Sequence, residues 1–305
     1  MEQESIEPHK PETVAEKRDY FLPASILLSA LIVGGVWMYV SGAKTGAERS
    51  AAVQVSHPAI PAEKSTEIPA AWGDLGKKMI DAGVIDRAQF MAVSESRGGL
   101  SDAEVNLLDG TDNGTLRITS ANAGTLLNLL WALGLGNKNL ILERGPMADA
   151  RYGGAGNFAS TGGWTLAQGN AMNHYGAHPL IPLTEAQQTL VERVSKNIYR
   201  PCCDNATHFP DCNHGMAMLG LMELMASQGA TETEMYKTAL IVHSYWFPEQ
   251  YAVIARYLES KGVAPQSADP KEILGSDYSS GSGFRRIMAL TPSQPENRGG
   301  GSCGV

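Results

Sequence analysis

The apolar stretch at the centre of the chain reads AGTLLNLLWAL, from Ala123 to Leu133. Leucine, alanine and tryptophan would lie on every side of a helix formed by this stretch, and a helix that is apolar all round is typical of a buried position. Ser120 or Asn122 can cap its start, because both residue types favour helix N-termini. We therefore expect a helical domain packed around one central, buried helix.

Helical patterns recur on both sides of this stretch. Ser101 followed by Glu104 has the spacing of a capping box. A segment of residues 114–119, GTLRIT, is the one good candidate for a strand, and residues 264–283 are expected to form a polar linker. The fold class predicted is mainly α, with further helices after Thr184, from Asn213 or His214 to Ser227, after Thr231 or Thr233 to Tyr245, and from Pro248 to Ser260.

A long glycine-rich segment, residues 145–170, interrupts the helical pattern and carries Tyr152, Phe158 and Trp164. It matches neither a phosphate-binding loop nor a dinucleotide-binding fingerprint. Two interpretations remain open. The segment either packs over the core through its aromatic side chains, or it contacts a ligand or partner, as long irregular loops often do.

Residues 20–43 contain no charged side chain. About 20 apolar residues in a helix cross the hydrocarbon core of a bilayer, so this run is long enough to span it. The preceding residues are acidic and mixed rather than basic, which favours a retained anchor over a signal peptide cleaved after residues 41–43. The segment resembles the single membrane anchors of bacterial proteins.

The chain is accordingly divided into five parts. Basic residues are slightly more frequent before the span than after it, which favours a cytoplasmic N-terminus and a C-terminal domain outside the cytoplasm, where disulfides are tolerated. The parts are a cytoplasmic tail (1–19), a transmembrane anchor (20–43), a flexible tether (44–70), a helical extracytoplasmic domain (71–290) and a flexible cysteine-containing tail (291–305).

Composition limits the classes of partner. Hydrophobic residues make up 43% of the chain and charged residues 18%, which indicates a folded protein. The net charge of −8 argues against nucleic acid, because phosphate neutralisation needs clustered lysine and arginine. The predicted partners are the membrane, through the single span, and a metal donor or acceptor protein; the oligomeric state stays open.

The chemistry is expected in a loop that carries three of the four cysteines: Cys202, Cys203 and Cys212, followed by His214. Thiolate and imidazole groups are ligands of soft transition metals, so we expect copper, then zinc or an iron–sulfur cluster. Cys212 and His214 fall at the predicted start of a helix, where the dipole lowers a thiol pKa. His208, inside the same loop, is a further candidate ligand.

Two more sulfur atoms are auxiliary candidates. Met218 lies one turn after His214, and its thioether suits Cu(I), although methionines at helical spacing are more typical of a core. Cys303 follows a run of glycines near the C-terminus, and a flexible tail can bring a thiol to a nearby site at high effective concentration. It would hand over an ion or resolve a disulfide, or it is an exposed thiol without a role.

Two other functions remain open from the sequence. A disulfide from Cys212 to Cys202 or Cys203 would staple the loop and make the domain a structural or binding module. Alternatively, Cys212 acts as the nucleophile of a thiol oxidoreductase with Cys203 or Cys303 as the resolving thiol, although no Cys-x-x-Cys motif is present. No hydrolase nucleophile motif is visible, so enzymatic activity is left undecided.

Overall fold

The computed structural model describes residues 65–291, and these form a mainly helical fold with one small sheet. The strands are β1 (Thr66–Gly73) and β2 (Asn113–Ile118). The helices are α1 (Leu75–Asp81), α2 (Arg87–Glu95), α3 (Asp102–Asp109), α4 (Ala123–Gly136), α5 (Leu140–Arg144), α6 (Glu185–Ser195), α7 (Asn213–Ser227), α8 (Glu232–Trp246), α9 (Pro248–Ser260), α10 (Pro270–Ile273), α11 (Ser276–Ser279) and α12 (Gly281–Leu290).

Side-chain caps define where several helices begin. Ser101, Thr184 and Thr231 each form a capping box, in which the hydroxyl accepts from the third helical N–H and the Glu or Gln at that position bonds back to the cap. Each cap satisfies backbone donors that would otherwise lack a partner, and contributes about 0.5–2 kcal/mol. The predicted starts of α3, α6 and α8 are confirmed.

The core is centred on the pairing of α4 with α7. Helix α4 is the predicted central helix, and Leu126, Leu129 and Leu130 on it are fully buried. The two backbones approach closely at a pair of glycines: a Cβ on Gly134 would lie 2.1 Å from the Met216 carbonyl oxygen. Glycine is required there, because any side chain would push the helices apart.

The small sheet begins earlier in the chain than the sequence suggested. Strand β1 pairs with β2 in antiparallel register, from Thr66 opposite Ile118 to Gly73 opposite Asn113, with an irregularity between them. Ile68, a residue of β1, is fully buried. The prediction that the tether extends to residue 70 is therefore corrected, since alternate residues of β1 are buried and anchor it to the core.

Residues 264–283, predicted as a linker, instead form a short 3-10 turn, helices α10 and α11 and the start of α12. The glycine-rich segment is irregular as predicted, with short 3-10 turns at Pro146–Ala148, Ala150–Tyr152 and Ala155–Asn157. Trp164 fastens it to the core, because its indole Nε1 donates to the Val84 carbonyl at 2.9 Å.

No helix within residues 65–291 is both long and apolar enough to cross a membrane. The predicted anchor, residues 20–43, lies outside the described residues, as do the cytoplasmic tail and Cys303.

Candidate metal site

The cysteine-bearing loop joins α6 to α7 and is fixed by backbone hydrogen bonds along its length. The Thr207 N–H donates to the Ile198 carbonyl at 2.8 Å, and the His208 N–H donates to the Ser195 carbonyl at 3.0 Å. Helix α12 holds the other side, because the Gly281 N–H donates to the Cys203 carbonyl at 2.7 Å. Backbone hydrogen bonds therefore hold the loop in place on both of its sides.

A single buried guanidinium forms the centre of this loop. Arg200 is completely buried, and its Nε donates to Cys212 Sγ at 3.0 Å. Its Nη atoms donate to the carbonyls of Asn205 and Phe209 at 2.9 and 3.1 Å, and one also pairs with the Asp211 carboxylate. Burial alone would lower the Arg200 pKa, but the negative charges of Cys212 and nearby groups raise it, so the guanidinium stays charged.

Glycine at position 215 makes room for this guanidinium. A Cβ at Gly215 would lie 2.6 Å from Arg200 Cζ, which is closer than non-bonded atoms approach. The first turn of α7 can therefore lie directly against Arg200 only because it lacks a side chain at this point. Cys212 caps the same turn, with its Sγ accepting from the Gly215 N–H at 3.5 Å.

The three thiols of the loop converge. The Sγ atoms of Cys202, Cys203 and Cys212 all lie within 4.8 Å of one another, and those of Cys202 and Cys212 are 3.7 Å apart. All three are free thiols; Cys202 is exposed and the other two are half-buried. They are close enough to hold one metal ion between them.

The electrostatics single out one thiolate. Hydrogen bonds from Cys202 and Cys203, then the charge of Arg200 and a hydrogen bond from His214, hold the pKa of Cys212 well below its usual value, although burial opposes them. Hydrogen bonding to the neighbouring thiols raises the pKa of Cys202. The free site is thus one thiolate flanked by thiols, with its negative charge facing a permanent cation.

Two histidines border the site from α7 and α8. His214 packs against Phe247, with ring centroids 4.4 Å apart, and it helps to lower the pKa of Cys212. His214 does not belong to the group of ligand atoms that all lie within 4.8 Å of one another. Within the described residues, the close ligand group consists of the three cysteines, and His214 supports it from one side.

His243 lies behind the cluster and is fully buried. Ser279 Oγ donates to the Ile273 carbonyl at 2.6 Å, which leaves it to accept from the Tyr251 hydroxyl at 2.7 Å. That hydroxyl must then accept from His243 Nδ1, 3.1 Å away. Burial lowers the His243 pKa to about 3, so the imidazole is neutral and its Nε2 carries no proton. This Nε2 has no hydrogen-bond partner among the described residues.

The other predicted ligands lie elsewhere. His208 faces α6: its pKa is lowered first by burial and then by Lys196, with Glu192 opposing. Its side chain lines a separate cavity beside Glu143 and Asp149 rather than joining the thiols. Met218 is fully buried in the hydrophobic core. Cys303 lies outside the described residues.

Sequence reasoning missed the contributions of Arg200, Gly215 and His243. Arg200 immediately precedes Pro201 and the paired cysteines, but nothing in the spacing signals that its side chain turns inward. The available signal was weak: Arg200 is the one arginine or lysine between Lys196 and the start of α7, in a loop that also carries Asp204 and Asp211. His243 lies in the apolar sequence of α8, and its position behind the cluster depends on how that helix packs.

No protein-family model matches this sequence, and neither curated proteins nor solved structures show significant similarity to it.

Proposed function

We propose that the protein binds a soft transition-metal ion through Cys202, Cys203 and Cys212. The observation that carries the proposal is the convergence of the three Sγ atoms within 4.8 Å around a thiolate held by a buried arginine. Thiolates are the ligands that such ions prefer.

The sulfur spacing supports coordination. A metal–sulfur bond of about 2.3 Å at a near-tetrahedral angle places two sulfur atoms about 3.8 Å apart. Cys202 and Cys212 are separated by 3.7 Å. A disulfide needs a separation of about 2.0 Å, so these two sulfurs would have to approach by well over 1 Å to form one. The spacing therefore fits a bridging ion better than a bond.

The charge distribution supports a thiolate site as well. A metal ligand must be deprotonated, and Cys212 meets that condition in the free protein. Arg200 balances part of the negative charge that accumulates when the neighbouring thiols also lose their protons. Because this cation is buried and fixed by its hydrogen bonds, it remains available without reorganisation.

Copper in its Cu(I) state is the ion that we favour. Structural zinc takes four ligands in a closed site, whereas the close group in the described residues contains three cysteines and no fourth His, Cys, Asp or Glu. Cu(I) accepts such a sulfur-only set. Zinc with a fourth ligand from His214 or Cys303 is the next choice, and an iron–sulfur cluster follows.

The physiological role that we propose is metal handling at a membrane. If residues 20–43 anchor the chain and the domain lies outside the cytoplasm, the exposed thiol of Cys202 is the group that a metal donor or acceptor protein would reach first. Exchange through a shared three-coordinate intermediate needs one accessible ligand, which the more enclosed Cys212 does not provide.

The test is a Cu(I) competition titration of the full-length protein in detergent, reduced and under anaerobic conditions. Cys212→Ser is the decisive variant, because serine is a good helix N-cap and therefore preserves the start of α7 while removing the thiolate. We expect the wild type to bind one Cu(I) and Cys212→Ser to lose at least about 100-fold in affinity, since one of three bonds and the only preformed thiolate are gone.

Two matched controls define the site. His208→Gln removes a loop histidine that faces α6 and should bind Cu(I) as the wild type does. Cys303→Ser removes the thiol of the tail and shows whether Cys303 is itself a ligand or has only an auxiliary role. Wild-type stoichiometry and affinity in Cys212→Ser would reject the proposal.

A second candidate is thiol–disulfide exchange, favoured by the same low-pKa Cys212 next to Cys202. The Cys212 thiolate would attack a partner disulfide and release one partner thiolate. Cys202 would then attack the mixed disulfide, release the second partner thiol and leave a Cys202–Cys212 disulfide, so the partner is reduced by two electrons. A chain whose thiol count is unchanged by added oxidant and reductant would exclude this function.

A further inference from the structure

A cavity of about 360 Å³ lies beside the start of α7, between the end of α2, the middle of α4 and the glycine-rich segment. Sites for small organic molecules begin at about 300 Å³, so the volume admits a ligand of one or two rings. Trp131, Trp164 and Leu166 contribute apolar wall, and the two indole rings lie 4.9 Å apart at 60°.

The indole N–H groups do not face a ligand. Trp131 Nε1 donates to the Ser160 carbonyl at 2.7 Å, and Trp164 Nε1 donates to the Val84 carbonyl at 2.9 Å. The two rings therefore offer only hydrocarbon surface to the cavity, and these hydrogen bonds fix their orientation. Rigid aromatic walls favour a flat, aromatic ligand.

One buried polar atom in the wall lacks a partner. Asn213 is only 9% exposed and lines the cavity. Its Oδ1 accepts from the His214 N–H at 2.8 Å, so its Nδ2 is the free donor. This Nδ2 is buried and has no hydrogen bond in the described residues. A buried donor without a partner costs free energy, which a ligand acceptor would recover.

The charge of the lining has one sign. Arg97 is the single charged residue among the described lining residues, and no aspartate or glutamate is present there. Within residues 65–291 Arg97 forms no ion pair, and no hydrogen bond engages the side chain of Asn128, which also lines the cavity. A cation and two amides without a carboxylate complement an anion.

We propose that this cavity binds a small aromatic carboxylate. The ring would lie against Trp131, Trp164 and Leu166, the carboxylate would pair with Arg97, and Asn213 Nδ2 would donate to the ligand. An arginine–carboxylate pair is charge-assisted and directional, which fixes the orientation of the ligand. The site is distinct from the thiols, although Cys212 immediately precedes Asn213 and the Ser160 N–H donates to the Asp211 carbonyl at 3.1 Å.

Isothermal titration of the full-length protein with 2-naphthoate tests this proposal. Its primary amide, 2-naphthamide, keeps the rings and removes the charge, and octanoate keeps the charge and removes the rings. We expect 2-naphthoate to bind most tightly. Arg97→Gln should weaken it about tenfold or more, as expected for loss of a hydrogen bond to a charged group.

The variants separate the site from the fold. Arg97 is exposed, so Arg97→Gln should fold normally, and Arg144→Gln removes an exposed arginine outside this cavity as the matched control. Asn213→Asp keeps the acceptor for the His214 N–H but places a carboxylate in the wall, and should abolish 2-naphthoate binding. Equal binding of the amide, tighter binding of octanoate, an unaffected Arg97→Gln or no binding of any probe would overturn the proposal.

Discussion

At the scale of single residues, Arg200 joins Cys212 to the middle of the loop. Its guanidinium reaches Cys212 on one side and the carbonyls of Asn205 and Phe209 on the other. Breaking a buried ion pair by removing one partner is strongly destabilising, because the remaining charge loses its compensation. The position of Cys212 therefore depends on how this one side chain is held.

The first prediction concerns Gly215. Gly215→Ala should displace the Arg200 guanidinium, because its Cβ would lie 2.6 Å from Cζ. We expect the free energy of unfolding to fall by about 1–3 kcal/mol, as for other overpacked sites. Cu(I) affinity should fall as well, because Cys212 loses its fixed cation; urea unfolding and Cu(I) competition measure the two effects.

Gly124→Ala is the matched control for that change. Gly124 is an exposed helical glycine, and its added Cβ would meet no atom within 4 Å. Replacing such a glycine by alanine should stabilise the protein by about 0.5–1 kcal/mol and leave Cu(I) affinity unchanged. If Gly215→Ala behaved like Gly124→Ala in both measurements, Arg200 would not depend on the glycine.

At the scale of elements, the contact between α4 and α7 positions the whole site, because α7 begins next to Cys212. The helices touch through Gly134 and Gly220. A Cβ on Gly220 would lie 2.4 Å from the Leu130 carbonyl oxygen and 2.7 Å from the Gly134 nitrogen. Backbone atoms cannot move aside as a flexible side chain can, so this contact tolerates only glycine.

Gly220→Ala is therefore predicted to lower the free energy of unfolding by about 1–3 kcal/mol or more, because it forces the two helices apart. Urea unfolding of the full-length protein measures the change, and Gly124→Ala again serves as control on the same helix pair. A variant as stable as the wild type would mean that α4 and α7 do not pack as closely as the glycines indicate.

The elements were predictable where the signal is local. Capping residues such as Ser101 and Thr231 and the apolar run of α4 are contained in a few consecutive residues. Strand β1 was missed because its segment, which contains a proline and two alanines, pairs with β2, which lies some forty residues later. The cysteines identified the candidate site, but Arg200 reaches Cys212 through tertiary packing that no spacing in the sequence records.

At the scale of the whole molecule, a buried carboxyl couples the core to pH. Glu223 on α7 is fully buried and accepts from the amides of Asn137 and Asn139, the first at 3.0 Å. Burial raises its pKa from 4.5 to about 8, with the two amides opposing. The folded protein therefore keeps a proton between these pH values that the unfolded chain releases.

The stabilisation linked to this proton is fully present below about pH 4.5 and is lost as pH rises through about 8. Glu223→Gln has no carboxyl group to titrate. As pH rises, the free energy of unfolding of the wild type should therefore fall relative to that of the variant, by up to about 1.4 kcal/mol per pH unit. Urea unfolding from pH 5 to about pH 8 measures it, with exposed Glu259→Gln as control for the lost charge. Parallel pH profiles of wild type and Glu223→Gln would contradict the assignment.

Metal binding should also be visible in global stability. An ion bound to the folded state alone stabilises it by about 2.7 kcal/mol at a free concentration 100 times the Kd. Thermal unfolding of the reduced wild type should shift upward with Cu(I), and Cys212→Ser should not respond. An equal shift in both proteins would place the ion elsewhere in the chain.

The most direct test of the central claim is elemental analysis of the full-length protein, purified without chelators, with a parallel count of its four cysteine thiols under denaturing conditions. A thiol-coordinated ion predicts near-stoichiometric copper with all cysteines reduced. Absence of metal together with only two titratable thiols would contradict it, because the loop would then be closed by a disulfide.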